Sequence, residues 1–396
     1  MIPFNPTLLS KEVQAFINNN LDKDISKISL SKSPFSNVSS AELANQIGAK
    51  LKAKKKLPTW FNTENIYFPP TLSIEQTSSE ITAEFKASLF KGKSMVDLTL
   101  GFGVDAYYFS KNFSSVIGFE INDSLTAITR HNAQQLGLEN LNVFNGDGLE
   151  TLLNNNKVYD LIYMDPARRN SAGKVFKLED YTPNFLPHLD EILLKTKLLV
   201  IKTSPLLDLN AGLKELKNVS DVYIISVKNE CKELLWIINP DYTKKTTIHS
   251  VCLNTEIKQF NSVLNHIPFQ HKYLNPTEIE YLYEPDVALL KSGAFNEIAE
   301  HYNLIKLDLD AQLYTSTAIN QLFPGRIFRV KRIINANELK KIKNLSANVI
   351  VRNYPDTAQN LVKKYKVKPS QNTFLIFTSL KEFGYCIFEV EIIQYY

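Results

Sequence analysis

From Met95 onward, short apolar runs alternate with amphipathic stretches at a regular spacing. SMVDLTL, SSVIGFE, LNVFNGD and YDLIYMD have strand length and are rich in β-branched and aromatic residues. Between them, VDAYYFSKNF, DSLTAITRHNAQQLG and GLETLLNN space their apolar positions by three or four, the period of a helix with one buried face. LPHLDEILLKT before KLLVIKT and LNAGLKELK before VSDVYIISV continue the rhythm. A strand that must pair in parallel with the next needs a crossover, and a helix supplies it, so this alternation predicts a mostly parallel sheet covered on both faces. In such sheets ligands gather beyond the carboxyl ends of the strands, so the chemistry is expected just after each apolar run.

The flanks read differently. Residues 9–56 carry helical spacing, clearest in SSAELANQIGAKLKAKKK, and end in a run of lysines before Pro58. FPPTLSIEQTSSEITAEFKASLF predicts a Pro-marked loop and then a helix capped at Ser78 or Ser79. After Pro240 the rhythm breaks into two short α+β segments, and NTFLIFTSL with YCIFEVEII predicts a closing antiparallel hairpin.

Composition narrows this picture in three ways. A chain of 396 residues exceeds what one hydrophobic core sustains, so more than one domain is expected. No run reaches the ~18 apolar residues of a membrane span, and MIPFNPTLLSKEV lacks the basic and apolar pattern of a signal peptide, which predicts a cytoplasmic protein. Cys231, Cys252 and Cys386 are isolated, without metal-ligand spacing, so no metal is assigned. The net charge of +4 is uneven: residues 322–396 hold 13 Lys and Arg against 5 Asp and Glu, or +8, leaving −4 for the rest. RIFRVKR, KKIK and KKYKVK carry that excess, which suits either a solvated surface or a polyphosphate partner.

The strand ends carry the candidate chemistry. After the first strand, Gly101 and Gly103 in DLTLGFGVDA permit a tight turn and close backbone approach, and the next helix presents unpaired N–H groups to a ligand. Asp97, an acid inside a strand, requires a partner there: the Gly loop or a ligand ammonium. Glu120 ends the second strand, where an acid accepts from ribose hydroxyls. NAD and S-adenosylmethionine fit equally up to this point. Asp147 in NGDGLE separates them, because it ends the third strand beside a small Gly, placed to accept from an adenine amine.

VDLTLGFGVDA, GFEIND, HNAQQLG, GDGLE and YMDPARR together resemble the successive motifs of class I S-adenosylmethionine-dependent methyltransferases. NECKELL, YLYEPDVALLKSGAF, LYTS and FPGRIFRV extend the resemblance to a bacterial family that adds a ferredoxin-like segment and a C-terminal THUMP-like domain. The resemblance implies a Rossmann-like, seven-stranded, mostly parallel α/β sheet in residues 71–245. A helical region at 1–70 would precede it; a ferredoxin-like segment at 246–321 and a basic THUMP-like domain at 322–396 would follow. It places Asp97, Gly101 and Gly103 at the methionyl half of S-adenosyl-L-methionine, Glu120 at the ribose and Asp147 at the adenine, with Gln76 and Thr77 closing over the cofactor. In the amino-methylating branch the fourth strand ends in an acid, two prolines and an aromatic, and the acid and the first proline's carbonyl take a base amine. Asp165 and Pro166 match; Ala167 and Arg168 do not. Arg168 and Arg169 stand where the stacking aromatic would, able to stack by the guanidinium plane, to pair with guanine or phosphate, or to anchor the turn on Glu179 or Asp180. Lys202 in IKTSP lines the same edge as a further phosphate contact or as a lysine laid along apolar surface. The expectation is a methyltransferase acting on a base in structured RNA, an exocyclic amine favoured. Methylation of DNA or a small molecule, an NAD-linked oxidoreductase, and a binding module without turnover stay open beside it.

Overall fold

The computed structural model describes residues 4–168, 177–263, 276–381 and 383–396, with residue 168 as backbone only. The chain divides into two compact units, Met1–Val219 with Trp236–Thr243, and Ser220–Leu235 with Lys244–Tyr396. Among the described residues no helix is long and apolar enough to cross a membrane.

In the first unit the amino-terminal residues are helical, as their spacing predicts. Helix Ser40–Lys56 opens on a capping box: Ser39 Oγ accepts from Glu42 N at 3.2 Å while Glu42 Oε2 accepts from Ser39 N at 2.8 Å. Its Leu43, Ile47, Ala49 and Ala53 are buried. Helix Glu80–Ser88 is capped by Ser79, which leaves the Ser78 hydroxyl to other partners.

Strands alternate with helices in the order the apolar runs predict: β1 (Gly92–Asp97), β2 (Phe113–Glu120), β3 (Leu141–Asn145) and β4 (Leu161–Met164), then the two-residue pieces β5 (Ala167–Arg168) and β6 (Tyr181–Thr182), then β7 (Leu199–Thr203) and β8 (Val219–Val227). β9 (Glu230–Ile238), β10 (Thr247–Leu253) and β11 (Ile257–Val263) follow. The sheet order is β11-β10-β8-β9-β7-β4-β1-β2-β3. β1 lies parallel to both β2 and β4, β2 to β3, and β4 to β7, which aligns their carboxyl ends along one edge. Lys228 and Asn229, with φ of 51° and 59°, form the tight turn between β8 and β9.

Seven of these strands, β3-β2-β1-β4-β7-β9-β8, make the expected sheet, and two more extend it. β10 pairs in parallel with β8 and antiparallel with β11. Residues 247–263, which fall in the second unit with the segment they were expected to open, have the alternating burial of strands at a sheet edge. Behind the sheet the Trp236 ring is fully buried, its Nε1 donating to Thr203 Oγ1 at 2.9 Å, and it packs so closely on Gly212 that a Cβ there would lie 2.3 Å from the indole.

The second unit also holds a seven-stranded sheet, built from β12 (Tyr281–Pro285), β13 (Ile305–Lys306), β14 (Tyr314–Ser316), β15 (Gly325–Ile334), β16 (Asn348–Val351), β17 (Thr373–Leu380) and β18 (Gly384–Gln394). Its order is β13-β14-β12-β15-β18-β17-β16, and β17 with β18 forms the predicted antiparallel hairpin. β16 runs parallel to β17, joined by helix Ala358–Tyr365, whose Leu361 and Tyr365 pack on Leu375 and Phe377. Glu284, 1% exposed, is held by Arg326 and by Arg352 Nη2 at 2.6 Å. Burial pushes the Cys231 thiol up to about 12 and also raises those of Cys252 and Cys386, consistent with inert packing residues.

Candidate functional site

At the carboxyl edge of β1 to β4, a cavity of about 510 Å³ is lined by Asp97 to Asp105, Glu120, Ile121, Gly146 to Gly148, Tyr163 and Asp165. The segment carrying Gln76, Thr77 and Ser78 forms another wall. Every residue assigned to the cofactor from the sequence therefore lines one space: Gln76, Thr77, Asp97, Gly101, Gly103, Glu120 and Asp147.

The loop after β1 works as its glycines require. Gly101 and Gly103 have φ of 55° and 78°, a region in which a side chain is strained, and the turn carries the chain from the centre of the sheet into helix Val104–Ser110. Gly101 N donates to Glu120 Oε2 at 3.0 Å and Thr129 Oγ1 donates to Gly101 O at 2.8 Å, so the loop is fastened on both sides. Glu120 Oε1 also accepts from Asn122 N at 2.8 Å, which fixes the carboxylate at the end of β2. The partner expected for Asp97 is thus split: Glu120 takes the Gly-loop N–H, and Asp97 Oδ1 accepts from Thr99 N at 2.9 Å.

Asp97 is 1% exposed, and burial pushes its carboxyl up to about 8 against the Thr99 hydrogen bond, with Asp105 and Asp165 adding to the rise and Lys202 opposing it. It lines the cavity as an acid without an ion-pair partner among the described residues.

Asp147 caps helix Gly148–Leu153, its Oδ1 accepting from Leu149 N at 2.9 Å and Glu150 N at 3.0 Å. One oxygen is committed to that cap, and the residue lines the cavity. Gly148 must be small because a Cβ there would lie 2.4 Å from Leu98 O. Ile121, 72% exposed although apolar, lines the same cavity. An exposed isoleucine and a capped acid in one space offer an apolar face and a polar edge, suited to a planar ring bearing an amine.

Asp165, after β4, donates its N–H to Thr99 Oγ1 at 2.6 Å, and its Oδ2 is ion-paired with Lys202. Pro166 is buried beside it. Lys202 is 9% exposed, and its ammonium also donates to Ser78 Oγ at 3.2 Å. A lysine bound on the inside in this way does not reach out to a phosphate, so the structure replaces that expectation with a role in holding Asp165. The backbone of Arg168 pairs with Tyr181 in the small β5–β6 ribbon; Arg169 lies outside the described residues.

Sequence reasoning missed the buried network behind this surface. Lys86, fully buried, pairs with Asp105 Oδ1 at 3.0 Å and donates to Ser78 Oγ at 2.8 Å. Ser78 Oγ in turn donates to Asp105 Oδ2 at 2.9 Å, and Tyr163 OH donates to the same oxygen at 2.8 Å. Burial would raise the Asp105 carboxyl, but the ammonium groups of Lys86 and Lys202 and the Tyr163 hydrogen bond bring it down to about 2. The network ties the wall at Gln76–Ser78 to the Gly loop and to the ends of β4 and β7. A signal was present: Lys86 sits in line with Thr82, Ala83, Ala87 and Phe90 on the apolar stripe of its helix, where a lysine needs a buried partner. Among the described residues no group of three or more His, Cys, Asp or Glu is placed to hold a metal ion.

A solved structure from Porphyromonas gingivalis W83, whose methyltransferase role is itself proposed, superposes over 100% of both chains with a TM-score of 0.86 at 28% identity. This chain has a methyltransferase fold. Behind that fold, residues 281–324 match the model of a ferredoxin-like domain and residues 325–387 that of a THUMP domain-like family. Two Mycobacterium tuberculosis proteins, from strains CDC 1551 and H37Rv, are described as uncharacterized S-adenosylmethionine-dependent methyltransferases; each is 25% identical over 165 residues. That match spans 41% of this chain and 44% of each relative, less than half of their length. The resemblance read from the sequence stands, with the methyltransferase fold leading and the two named domains following it.

Proposed function

We propose that the protein is an S-adenosylmethionine-dependent methyltransferase that modifies a base in RNA, at an exocyclic amine. The observation that carries this reading is the convergence of Asp97, the Gly101–Gly103 loop, Glu120, Asp147 and Asp165 on one cavity. The cofactor fits these residues: the buried acid Asp97 suits the ammonium, Glu120 the ribose diol, and Asp147 with Ile121 the adenine. The bound donor would supply a methyl group on a positively charged sulfur.

What this chain adds is orientation. Asp165, held on one oxygen by Lys202, keeps its other oxygen to accept an N–H from the substrate amine, aiming the nitrogen lone pair at the methyl. With the donor bound, its sulfur would take the electron pair of the methyl–sulfur bond as the amine nitrogen takes the methyl, and Asp165 is the group placed to accept the surplus N–H proton. Such positioning can supply up to ~7–11 kcal/mol of a barrier in ideal cases. A carboxylate ion-paired as Asp165 is with Lys202 accepts rather than donates, which favours nucleophiles that carry a proton over ring nitrogens that carry none. RNA as the target is supported by the THUMP-like match and by the basic excess after residue 322.

The test has two parts. Calorimetric titration should show binding of S-adenosylmethionine and none of NAD; the reverse would discard the cofactor assignment. Incubation with labelled methyl donor and RNA, DNA or metabolite fractions from a deletion strain should label RNA, and label confined to the other fractions would discard the substrate. Asp165→Ala should abolish transfer while cofactor affinity stays within a few-fold.

A further inference from the structure

The carboxy-terminal sequence carries two kinds of basic run, and the structure treats them differently. In RIFRVKR the cations are largely neutralised. Arg326 is held by Glu284, Lys331 by Glu391, and Arg332 by Glu389 at 2.7 Å and Glu338 at 3.0 Å. Arg329 stands directly across from Glu391 in the β15–β18 ladder. This strand, the most conspicuous basic motif in the sequence, therefore offers little net field.

The lysines of the other two runs are not compensated. Lys340, Lys341, Lys343, Lys363, Lys364, Lys366 and Lys368 are all exposed, and none forms an ion pair among the described residues. The fold gathers them. Leu339, Leu345, Leu361, Tyr365 and Val367 share one buried cluster, and the backbones of Leu345, Ala347 and Lys368 are hydrogen-bonded at 2.9 and 2.8 Å. Within residues 335–370 the only acids are Glu338, engaged by Arg332, and Asp356. Lys366 has φ of 54° at the end of helix Ala358–Tyr365, a left-handed position where glycine is the relaxed choice. A side chain kept there against that preference adds one more cation to the face.

We infer that this lysine face, rather than the arginine strand β15, docks the phosphate backbone of RNA. The inference rests on the proposed RNA substrate and names the surface that would hold it. Two observations favour a nucleic acid over an anionic membrane. The apolar residues Leu361 and Tyr365 of the helix point into the core, leaving only Val362, 36% exposed, as apolar surface on that helix, too little to enter a bilayer. At the opposite end of the β16–helix–β17 unit, Tyr354 and Tyr385, the latter 65% exposed, pack edge to face at 5.0 Å. Tyr354 precedes helix Ala358–Tyr365, ~12 Å long for its eight residues, and Lys363, Lys364 and Lys366 sit toward its far end, an arrangement that lets one short single strand meet cations and an aromatic platform together.

The experiment is fluorescence anisotropy of a short labelled single-stranded RNA of mixed sequence with the full chain, across a salt series. Lys363→Gln with Lys364→Gln should weaken binding roughly tenfold and flatten the logarithmic salt dependence by about 1.4, at ~0.7 for each phosphate no longer neutralised. Lys340→Glu with Lys341→Glu and Lys343→Glu should weaken it further, whereas Arg329→Gln with Lys331→Gln, which removes the same charge as the first pair, should change it less than twofold. Equal losses from the two Gln pairs, an unchanged slope in the lysine variants, or wild-type protein that sediments with phosphatidylserine vesicles and ignores RNA would each overturn the inference. Circular dichroism and cofactor titration of every variant separate docking from folding. If RNA follows the expected pattern and S-adenosylmethionine does not bind, the surface stands and the proposed activity falls.

Discussion

Asp97→Asn isolates the strongest electrostatic demand in the candidate site. In the unliganded protein the buried Asp97 carboxyl titrates at about 8, so at pH 6 it is almost entirely protonated. If the donor's ammonium sits against it, binding requires the anion, and a proton must leave as the ligand enters. Each pH unit below 8 then costs about 1.4 kcal/mol, so affinity should rise nearly tenfold from pH 6 to 7 and stop rising near 8, where the donor's own amine loses its proton. The charged neighbours that face Asp97, namely Asp105, Asp165 and Lys202, are each held in an ion pair of their own. Calorimetry at pH 7 in buffers of different ionisation enthalpy should report close to one proton released per S-adenosylmethionine bound by wild type and none by Asp97→Asn, whose affinity should be weaker and independent of pH. The same shift has a folding consequence. A carboxyl raised from 3.8 to about 8 by burial favours the fold while protonated, so its contribution is intact below pH 4 and is lost as pH rises through 8. Asp97→Asn should therefore stabilise the unliganded protein at pH 8 by at most roughly 6 kcal/mol from that shift, read as a higher melting temperature. Pronounced affinity at pH 6 with no proton exchange, or an Asn variant less stable than wild type at pH 8, would refute the reasoning.

Three further outcomes follow from the same geometry. Gly148→Ala places a Cβ 2.4 Å from Leu98 O in the centre of the sheet, so it should cost ~1–3 kcal/mol in chemical denaturation and distort the adenine slot, read as weaker cofactor binding. Lys86→Met leaves Asp105 buried without its nearest cation and should destabilise by ~3–5 kcal/mol; because the Asp105 carboxyl is depressed to about 2, that loss should be full above pH 4 and shrink as pH falls toward 2. Lys202→Met should depress methyl transfer far more than cofactor affinity, with partial recovery in Lys202→Arg; equal loss of both would assign Lys202 to the cofactor wall through Ser78 rather than to Asp165.

Much of the site was legible because it obeys local rules. A parallel strand ends where its apolar run ends, so Glu120, Asp147 and Asp165 could be placed at strand ends from periodicity alone, with Asp97 inside the first strand, and the structure brings all four to one edge. The two glycines announced a turn that only they adopt without strain. Reading failed where a residue's meaning depends on a distant partner. Lys202 resembled a surface lysine until Ser78, 124 positions away, and Asp165 were brought beside it. RIFRVKR resembled an anion site until β12 and β18 delivered Glu284, Glu389 and Glu391 to it.

What the sequence determined by itself is therefore the framework: alternating strands and helices, the Gly turn, and acids at successive strand ends, all written in periods of two and 3.6 residues. Tertiary structure alone decided which charges are spent and which remain. Ion pairing is set by distance through space, falling off within a few ångströms of protein and water, and chain order carries no record of that distance until the sheets are assembled.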